Sequence, residues 1–409
     1  MKPLVNYLTG CLALSILLIA CTGAPNLSET PEIAETIFLS ETATSRPTKQ
    51  IQEPATTLPQ PTGGLGHLSP LLKMSMKRAA HTATLLPDGS VLIAGGFRSE
   101  GASEVPIASA EIYDPETNTF TPTSAMNVGR SGHTATLLPN NLVLIAGGWG
   151  AKGRLSSAEL FDPRTREFRY VASMSWPRAS MTATLLKNGR VLIAGGDSAS
   201  NKPQMVAEIF DPETNEFSLS GTLNHGRSAH TATLLNDGTV LIIGGRPRYD
   251  NSSVLSSAEI YNPVTGEFQL TGSTSVGRYK HAAVLLRSGD VLVLGGADER
   301  DWTGKYNSAE IYDVGAGTFG QIANMHNERF KLAGTAVLLN NGNVFVGGGN
   351  RRLEIFDALS QHFIPTVTVD DAYYFSVSTL LQDGTVLITG GYDANIQPSE
   401  KAWIYSYGY

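Results

Sequence analysis

Cysteine is almost absent from this chain of 409 residues. The only two are Cys11 and Cys21, so residues 22–409 can form no disulfide and no Cys-based metal site. Charged side chains are scarce, at 16% of residues, and the net charge of −7 comes without a basic stripe, which argues against a nucleic-acid partner. Long apolar runs are also missing, because the run at residues 8–20 is too short to span a membrane comfortably.

Glycine, by contrast, is abundant, and it recurs as a Gly-Gly pair at nearly even spacing. Each pair follows a short apolar run, and successive pairs are 42 to 53 residues apart. A repeat of this period is typical of a propeller or a solenoid. The seven pairs begin at Gly95, Gly147, Gly195, Gly244, Gly295, Gly348 and Gly390.

Six repeats contain the signals of four short strands, and the seventh contains those of the first three. Two apolar runs flank a tight turn such as Asp88-Gly89, which supplies the positive φ angles that short hairpins need. A third run carries a glutamate and an aromatic residue two positions apart, as in Glu111 and Tyr113, and a fourth opens on a residue such as Phe120. Four antiparallel strands, repeated seven times, predict an all-β fold: a seven-bladed β-propeller over residues 66–409.

These repeats resemble a known family. The Gly-Gly pair after an apolar strand, the Glu-x-Tyr/Phe-Asp-Pro third strand and the aromatic fourth strand are similar to the kelch repeat, although the fourth-strand aromatic is Phe where kelch often has Trp. The resemblance implies the propeller that kelch proteins share with galactose oxidase. Enzymes of that type hold copper with Tyr and His and use a Tyr–Cys crosslink. This propeller has no cysteine, so we expect no cofactor and no metal.

The first segment of the propeller has the register of a fourth strand but no blade before it. Residues 68–74 precede Arg78 by the same interval that separates residues 120–126 from Arg130. The last repeat, in turn, ends just after its third strand, near Tyr405. We therefore expect residues 66–74 to complete the last blade and close the ring.

The N-terminus resembles a bacterial lipoprotein signal, because its apolar run ends in Leu18-Ile19-Ala20-Cys21. The resemblance implies a signal peptide at residues 1–20, lipidation of Cys21 and anchoring to the membrane on the extracytoplasmic side. The alternative is an ordinary secretion signal that contains a cysteine. Residues 21–65 continue with Thr, Pro, Glu and Ser, which predicts a disordered linker.

The loops of the predicted propeller differ between its two faces. The turns on one face are uniformly short, whereas the second-to-third-strand loops on the other vary in length and sequence. Variable loops on a rigid scaffold usually carry function, and mixed aromatic and charged groups suit sugar or peptide recognition. The alternative is that these rings pack between neighbouring loops. Our candidate contacts are Trp302, Tyr249, Arg248, Asp301, Trp149 and Tyr392.

A cation before the first strand recurs together with the third-strand glutamate. The two could form a structural ion pair, or the cations could ring the channel mouth and bind an acidic ligand. The pair is favoured because both groups vanish together in the seventh repeat, where Tyr373 and Trp403 replace them. The sixth repeat would pair Lys331 with Glu354. The other expected partners are Arg78, Arg130, Arg178, Arg227 and Arg278 with Glu111, Glu159, Glu208, Glu259 and Glu310.

Four histidines share one position in the repeat. A metal site would need three or four ligands that converge, whereas these residues fall on separate blades. We therefore expect a packing role in which the imidazole bonds the backbone. The position is held by His81, His133, His230 and His281, and elsewhere by Met181, Gly334 and Ser376.

The sequence contains no nucleophile motif and no phosphate loop. We therefore expect a monomeric, membrane-tethered binding module for a glycan, a peptide or an envelope protein, rather than an enzyme. The alternative is a carbohydrate-active enzyme that resembles the periplasmic kelch mutarotase acting on sialic acid, because Arg and Glu are available for acid–base work.

Overall fold

The computed structural model describes residues 66–101, 103–198, 202–247 and 254–407. They form seven antiparallel sheets around a central channel, which confirms the all-β, seven-bladed propeller. Residues 1–65, including Cys21, lie outside the described residues, as do Arg248 and Tyr249. Within the described part, no helix is long and apolar enough to cross a membrane.

The strands of each blade follow one another in chain order from the channel outwards. Blade 1 contains Thr82–Leu85, Val91–Ala94, Ala110–Asp114 and Thr119–Pro122. Blade 2 contains Thr134–Leu137, Val143–Ala146, Ala158–Asp162 and Glu167–Tyr170. Blade 3 contains Thr182–Leu185, Val191–Ala194, Val206–Asp211 and Glu216–Thr222. Blade 4 contains Thr231–Leu234, Val240–Ile243, Ser257–Asn262 and Glu267–Ser273.

The remaining blades have the same order. Blade 5 contains Ala282–Leu285, Val291–Leu294, Ala309–Asp313 and Thr318–Gln321. Blade 6 contains Ala336–Leu338, Val344–Val346, Arg352–Asp357 and His362–Thr368. Blade 7 contains Val377–Leu380, Val386–Thr389 and Ser399–Ser406. Two small hairpins lie outside the blades in the described part of the chain. One pairs Phe97–Glu100 with Ser103–Pro106, and the other pairs Trp149–Gly150 with Gly153–Arg154. A 3-10 turn spans Asp301–Thr303.

The hydrophobic core lies between neighbouring blades. The second strand is apolar throughout in blades 1 to 6, as in Val91–Ala94, because both of its faces are buried against adjacent sheets. In blade 7 the only polar residue of this strand is the buried Thr389. Leu92 of blade 1, for example, belongs to the same cluster as Val143 and Ile145 of blade 2. Each blade therefore depends on the next one to cover its apolar face.

The N-terminal segment closes the ring, as the sequence predicts. Leu72–Arg78 and His67–Leu68 pair antiparallel with Ser399–Ser406 and form the outer strand of blade 7. The Met74 side chain is buried in the core between blades 7 and 1. The first and last described segments of the propeller thus belong to one sheet.

This closure predicts the effect of an N-terminal truncation. A chain that begins at Ser75 loses His67–Leu68 and the first three residues of Leu72–Arg78 from the outer strand of blade 7. The buried Met74 side chain alone is worth on the order of 2–5 kcal/mol. Its melting temperature should fall well below that of a chain beginning at Gly64. Equal melting temperatures for the two truncations, measured by differential scanning calorimetry, would disprove the stabilising role of the closure.

Candidate functional site

A buried arginine and glutamate organise the base of the variable loop in six of the seven blades. In blade 2, Arg130 Nη2 donates to Glu159 Oε1 at 2.7 Å, and Arg130 Nη1 donates to the Gly147 carbonyl at 2.8 Å. Both side chains are fully buried. A guanidinium taken from water requires such partners, because an unpaired buried charge is strongly destabilising.

The same pair also fastens its blade to the preceding one. The second carboxylate oxygen of Glu159 accepts a bond from the backbone N–H of Asn127, in the connection from blade 1, at 2.7 Å. The Arg130 carbonyl accepts the N–H of Gly96 from blade 1 at 2.8 Å. A Cβ on Gly95 would lie only 2.6 Å from this carbonyl, which explains the Gly-Gly motif. We call the arginine, the glutamate and these backbone partners the Arg–Glu node.

The node recurs in six blades with nearly identical geometry. The distance between the arginine Nη2 and the glutamate Oε1 is 2.6 to 2.8 Å in every case. The pairs are Arg78–Glu111, Arg130–Glu159, Arg178–Glu208, Arg227–Glu259, Arg278–Glu310 and Arg329–Glu354. None of the six arginines reaches the channel, since all are fully buried, so they do not form a ligand-binding ring.

The sixth pair corrects the sequence assignment of Lys331. Two extra residues separate the cation from the Gly-Gly pair in this blade, so Arg329, and not Lys331, bonds Glu354. In blade 7 the rings of Tyr373 and Trp403 pack at 5.3 Å in place of the ion pair. An apolar pair of similar size can replace a buried ion pair at little cost in stability.

The electrostatics of the node keep the carboxylate ionised. Burial alone would raise the pKa of Glu259, but Arg227 and the hydrogen bonds from Asn224 outweigh it and hold the pKa below its ordinary value. Arg329 acts in the same way on the pKa of Glu354 against the effect of burial. In these two blades the node is therefore an ion pair, not a neutral hydrogen bond.

The repeated histidines join neighbouring blades. The His133 Nε2 lies 3.1 Å from the Thr82 hydroxyl of the preceding blade, and His230 lies 3.0 Å from Thr182. The packing role agrees with expectation, but the partner is a threonine hydroxyl rather than backbone. In blade 6 the equivalent residue is Leu332 and not Gly334, because Leu332 packs on Gly295 as His133 packs on Gly95.

Two residues beyond each node cation, the chain forms a ring at the channel mouth. The backbone N–H of Gly132 donates to the Ala80 carbonyl at 3.0 Å, and similar bonds run around the ring; in blade 6 Leu332 donates to Lys280. All seven positions have left-handed φ angles between 50° and 61°. We call them the inner ring: Ala80, Gly132, Ser180, Ala229, Lys280, Lys331 and Phe375.

The inner ring divides the channel mouth into an open and a filled side. Its residues in blades 1 to 4 are small, and they leave a cavity of about 600 Å³ that extends between the inner strands. Lys280 and Phe375 line this cavity on the other side, and the loops contribute Glu104, Trp149 and Arg246. The cavity thus opens onto the variable-loop face.

Blades 5 to 7 fill their side with an aromatic cluster around Lys331. The Nζ of Lys331 lies 4.0 Å from the ring centroid of Trp302 and 4.7 Å from that of Phe330. It also donates to the hydroxyl of Tyr392 at 2.5 Å. Burial, followed by repulsion from Lys280, lowers the pKa of Lys331 to about 7. This lysine is therefore close to its titration midpoint at neutral pH.

The structure brings three of the sequence candidates together and separates a fourth. Asp301, Trp302 and Tyr392 meet around the aromatic cluster, whereas Trp149 lies on the cavity wall. The Trp302 ring packs edge-on against Phe330 at 4.9 Å, and Tyr392 is only 4% exposed. Tyr392 is therefore a supporting residue rather than an exposed contact.

Sequence reasoning missed the inner ring and its two lysines. The signal was present in the repeat, because the position two after the cation is small in four blades and lysine in two. The wrong pairing of Lys331 with Glu354 concealed it. Lys280 gives no signal by itself, because a single repeat does not indicate whether this position faces the channel.

The node predicts a large stability loss when one partner is neutralised. Glu159→Gln leaves Arg130 buried and charged without its carboxylate, which should lower the free energy of unfolding by about 3–5 kcal/mol. Urea denaturation measures this directly. The matched control is Glu167→Gln, an exposed residue of the same blade, and a loss below about 1 kcal/mol in Glu159→Gln would contradict the account.

The histidines predict a pH dependence of stability. Burial lowers the pKa of His133 to about 3, whereas the unfolded chain takes up this proton near pH 6.5. Stability contributed by the neutral imidazole is thus lost as the pH falls from about 6.5 towards 3. His133→Met introduces the residue that blade 3 has at the equivalent position, Met181. It should reduce the slope of the unfolding free energy against pH by about 1.4 kcal/mol per pH unit in this window.

The control for this measurement is His362→Met, at an exposed histidine. Urea denaturation of both variants between pH 4 and 7 gives the two slopes. A His133→Met slope equal to that of the unmodified protein would show that His133 is not a buried neutral group.

Comparisons with known proteins agree with this fold. The family model described as Kelch motif matches residues 78–127 and 129–175. No curated protein matches the chain. Among solved structures, the chain is similar to a novel fungal alcohol oxidase of the AA5 family, in complex with copper, at 18% identity and a TM-score of 0.69. The match covers 84% of this chain and 77% of the oxidase.

The side chains of this propeller do not fit a copper centre. The four histidines lie on separate blades and bond threonines, as His81 bonds Thr389 at 2.9 Å. In the part of the chain that the structure describes, no three His, Cys, Asp or Glu side chains converge. Cys11 and Cys21 precede the propeller, so neither supplies a crosslink within it.

The fold and the repeat motifs, taken together, identify the architecture. Seven sheets share the Gly-Gly pair, and six share the third-strand glutamate of the kelch repeat. The described residues form a seven-bladed β-propeller, and residues 78–127 and 129–175 of it match the Kelch motif.

Proposed function

We propose that the protein is a binding module whose ligand, a glycan, a peptide or an envelope protein, enters the central cavity from the variable-loop face. The observation that carries this proposal is the asymmetry of the inner ring. Four small residues leave the cavity open, while the other three blades place Lys280 and Phe375 at its edge. A concave site with a few polar groups on a rigid frame suits ligand recognition.

The residues that line the cavity differ in part from the contact residues that the sequence predicts. Trp149 and Phe375 offer aromatic surface to the cavity, and Lys280 and Glu104 offer charge. Asp301 supports Lys280 through an ion pair of 2.8 Å. Arg248 and Tyr249 stay candidate contacts on the evidence of the sequence alone.

The proposed setting of this module is the extracytoplasmic side of a bacterial membrane. The Leu-Ile-Ala-Cys run ending at Cys21 supports lipidation, and the Thr- and Pro-rich residues that follow would serve as a spacer. A lipid on Cys21 would tether the module to the membrane.

A second candidate function is a carbohydrate-active enzyme, such as one resembling a mutarotase. One observation favours it: the cavity wall carries Lys280 and Glu104, an ammonium and a carboxyl group of the kinds used in acid–base catalysis. Chemical change of a bound sugar, followed by NMR, separates this candidate from simple binding.

Occlusion of the cavity tests the proposed function. Ala229→Lys should fill the open side, and the backbone tolerates it because Lys280 has the same left-handed conformation, with φ 53° against 50° for Ala229. We expect at least about tenfold weaker retention on glycan and peptide arrays, because binding energy from the cavity is lost. The melting temperature should be unchanged.

The matched control is Thr117→Lys, an exposed residue in a short turn on the opposite face. It adds the same charge without touching the cavity. If Ala229→Lys retains full binding, or if Thr117→Lys loses binding equally, the cavity is not the binding site.

A further inference from the structure

Three lysines gather at the filled side of the cavity. Their Nζ atoms all lie near the ring of Phe330: Lys331 at 4.7 Å, Lys305 at 5.3 Å and Lys280 at 5.9 Å from its centroid. Lys280 comes from the inner ring of blade 5, Lys305 from a loop of that blade, and Lys331 from blade 6. We call these three residues the lysine cluster.

When all three lysines are protonated, the lysine cluster and the charged groups that face it carry one excess positive charge. The positive and negative charges balance when one lysine is neutral. Among the described residues, three carboxylates face it: Asp301, bonded to Lys280 at 2.8 Å, Glu104, at the cavity edge, and Asp197. Arg246 adds a fourth positive charge near Lys280, so the cations exceed the carboxylates by one. Against burial, Lys280 holds the pKa of Asp301 below its ordinary value, so Asp301 is ionised. The facing phenols of Tyr279 and Tyr392 are neutral, because burial raises the pKa of both.

The apolar surroundings of Lys331 make this excess positive charge energetically unfavourable. Aromatic rings replace water around Lys331, which is 5% exposed, and they compensate an ammonium only in part. The pKa of Lys331 falls to about 7 through this burial and through Lys280, while Asp301 and Glu104 act in the opposite direction and Lys305 adds a smaller repulsion. Any added negative charge would favour the protonated form.

The cavity provides a route for such a charge. Lys280 lines it directly, and its side chain is 19% exposed, whereas Lys331 is buried and senses the cavity through its electrostatic interaction with Lys280. The cavity volume of about 600 Å³ suits a small molecule or one sugar unit of a chain. A carboxylate at this point would meet an ammonium already fixed by Asp301.

We propose that the lysine cluster receives the carboxylate of an acidic sugar, with Lys280 in contact and Lys331 taking up a proton as the ligand binds. This inference rests on the proposed function of the cavity. Because a carboxylate adds one negative charge, it restores the charge balance with all three lysines protonated. Binding is therefore coupled to pH through Lys331.

The test compares D-glucuronate with D-glucose, which differ in the carboxylate, by titration calorimetry on the full chain at low salt. Glucuronate should bind more tightly than glucose. Its affinity should fall about tenfold from pH 6 to pH 8, because Lys331 changes from mostly protonated to mostly neutral. Glucose should show no such change. Acetate, followed through the ¹³Cε resonance of Lys331, should raise the pKa of this lysine independently of sugar shape.

Two substitutions separate charge from titration. Lys331→Arg keeps the charge and should retain glucuronate binding without its pH dependence. Lys331→Met should lose both the preference for glucuronate and the pH dependence. Lys152→Met, at an exposed lysine in a loop of the same face, is the control and should behave as the unmodified protein.

The possible failures are distinguishable. If neither acetate nor glucuronate raises the pKa of Lys331, or if the pH dependence survives in Lys331→Arg, the carboxylate site is refuted. If glucose and glucuronate bind equally and Ala229→Lys abolishes both, the cavity still binds ligands and only this inference fails.

Discussion

The buried ion pair between an arginine and a glutamate is the interaction on which this propeller depends. Six blades contain it, and each copy bonds backbone groups on both sides of a blade boundary. The apolar contacts between blades provide most of the buried surface, but they are not directional. The Arg–Glu node adds the fixed geometry, because its charges would be strongly destabilising in any other arrangement.

The node also explains how one fold separates its scaffold from its binding surface. The inner ring lies two residues beyond the node cation in six blades, so the node sets the position of the chain at the channel mouth there. In blade 7 the packed pair of Tyr373 and Trp403 takes its place, two residues before Phe375. The ring backbone is then constant, with φ between 50° and 61°, while its side chains range from Gly132 to Phe375. Different side chains at the inner-ring positions therefore change the shape and charge of the cavity, while the backbone of the ring stays the same.

Much of this architecture could be predicted from sequence because it is repeated. The Gly-Gly pairs, the Asp-Gly turns and the fourth-strand register of residues 66–74 each reflect a local backbone requirement, and the strands and the ring closure follow from them. The ion pair was predictable for a different reason: Tyr373 and Trp403 replace both partners in the same blade. When two repeated residues are replaced together in the same repeat, their joint replacement indicates that they contact each other in the other repeats.

The candidate site was harder to predict because it is assembled from several blades. Lys331 was paired with Glu354 because a two-residue insertion shifts it into the node position by simple counting, and only the structure shows that Arg329 fills that place. Trp302 was expected to be an open contact, yet its ring packs on Phe330 and Tyr374. A local sequence motif does not specify which loops from different blades lie close together. It also does not specify whether an aromatic ring is exposed or packed against its neighbours.

Native-state hydrogen exchange of the full chain tests the role of the node most directly. The backbone amides of Asn127, Ser175 and Asn224 each donate to a node glutamate. If the node holds neighbouring blades together, these amides should exchange only through global unfolding, with an opening free energy equal to that from denaturant unfolding. Exchange as fast as that of the exposed turn at Thr117 would show that the node opens locally and does not hold the blades together.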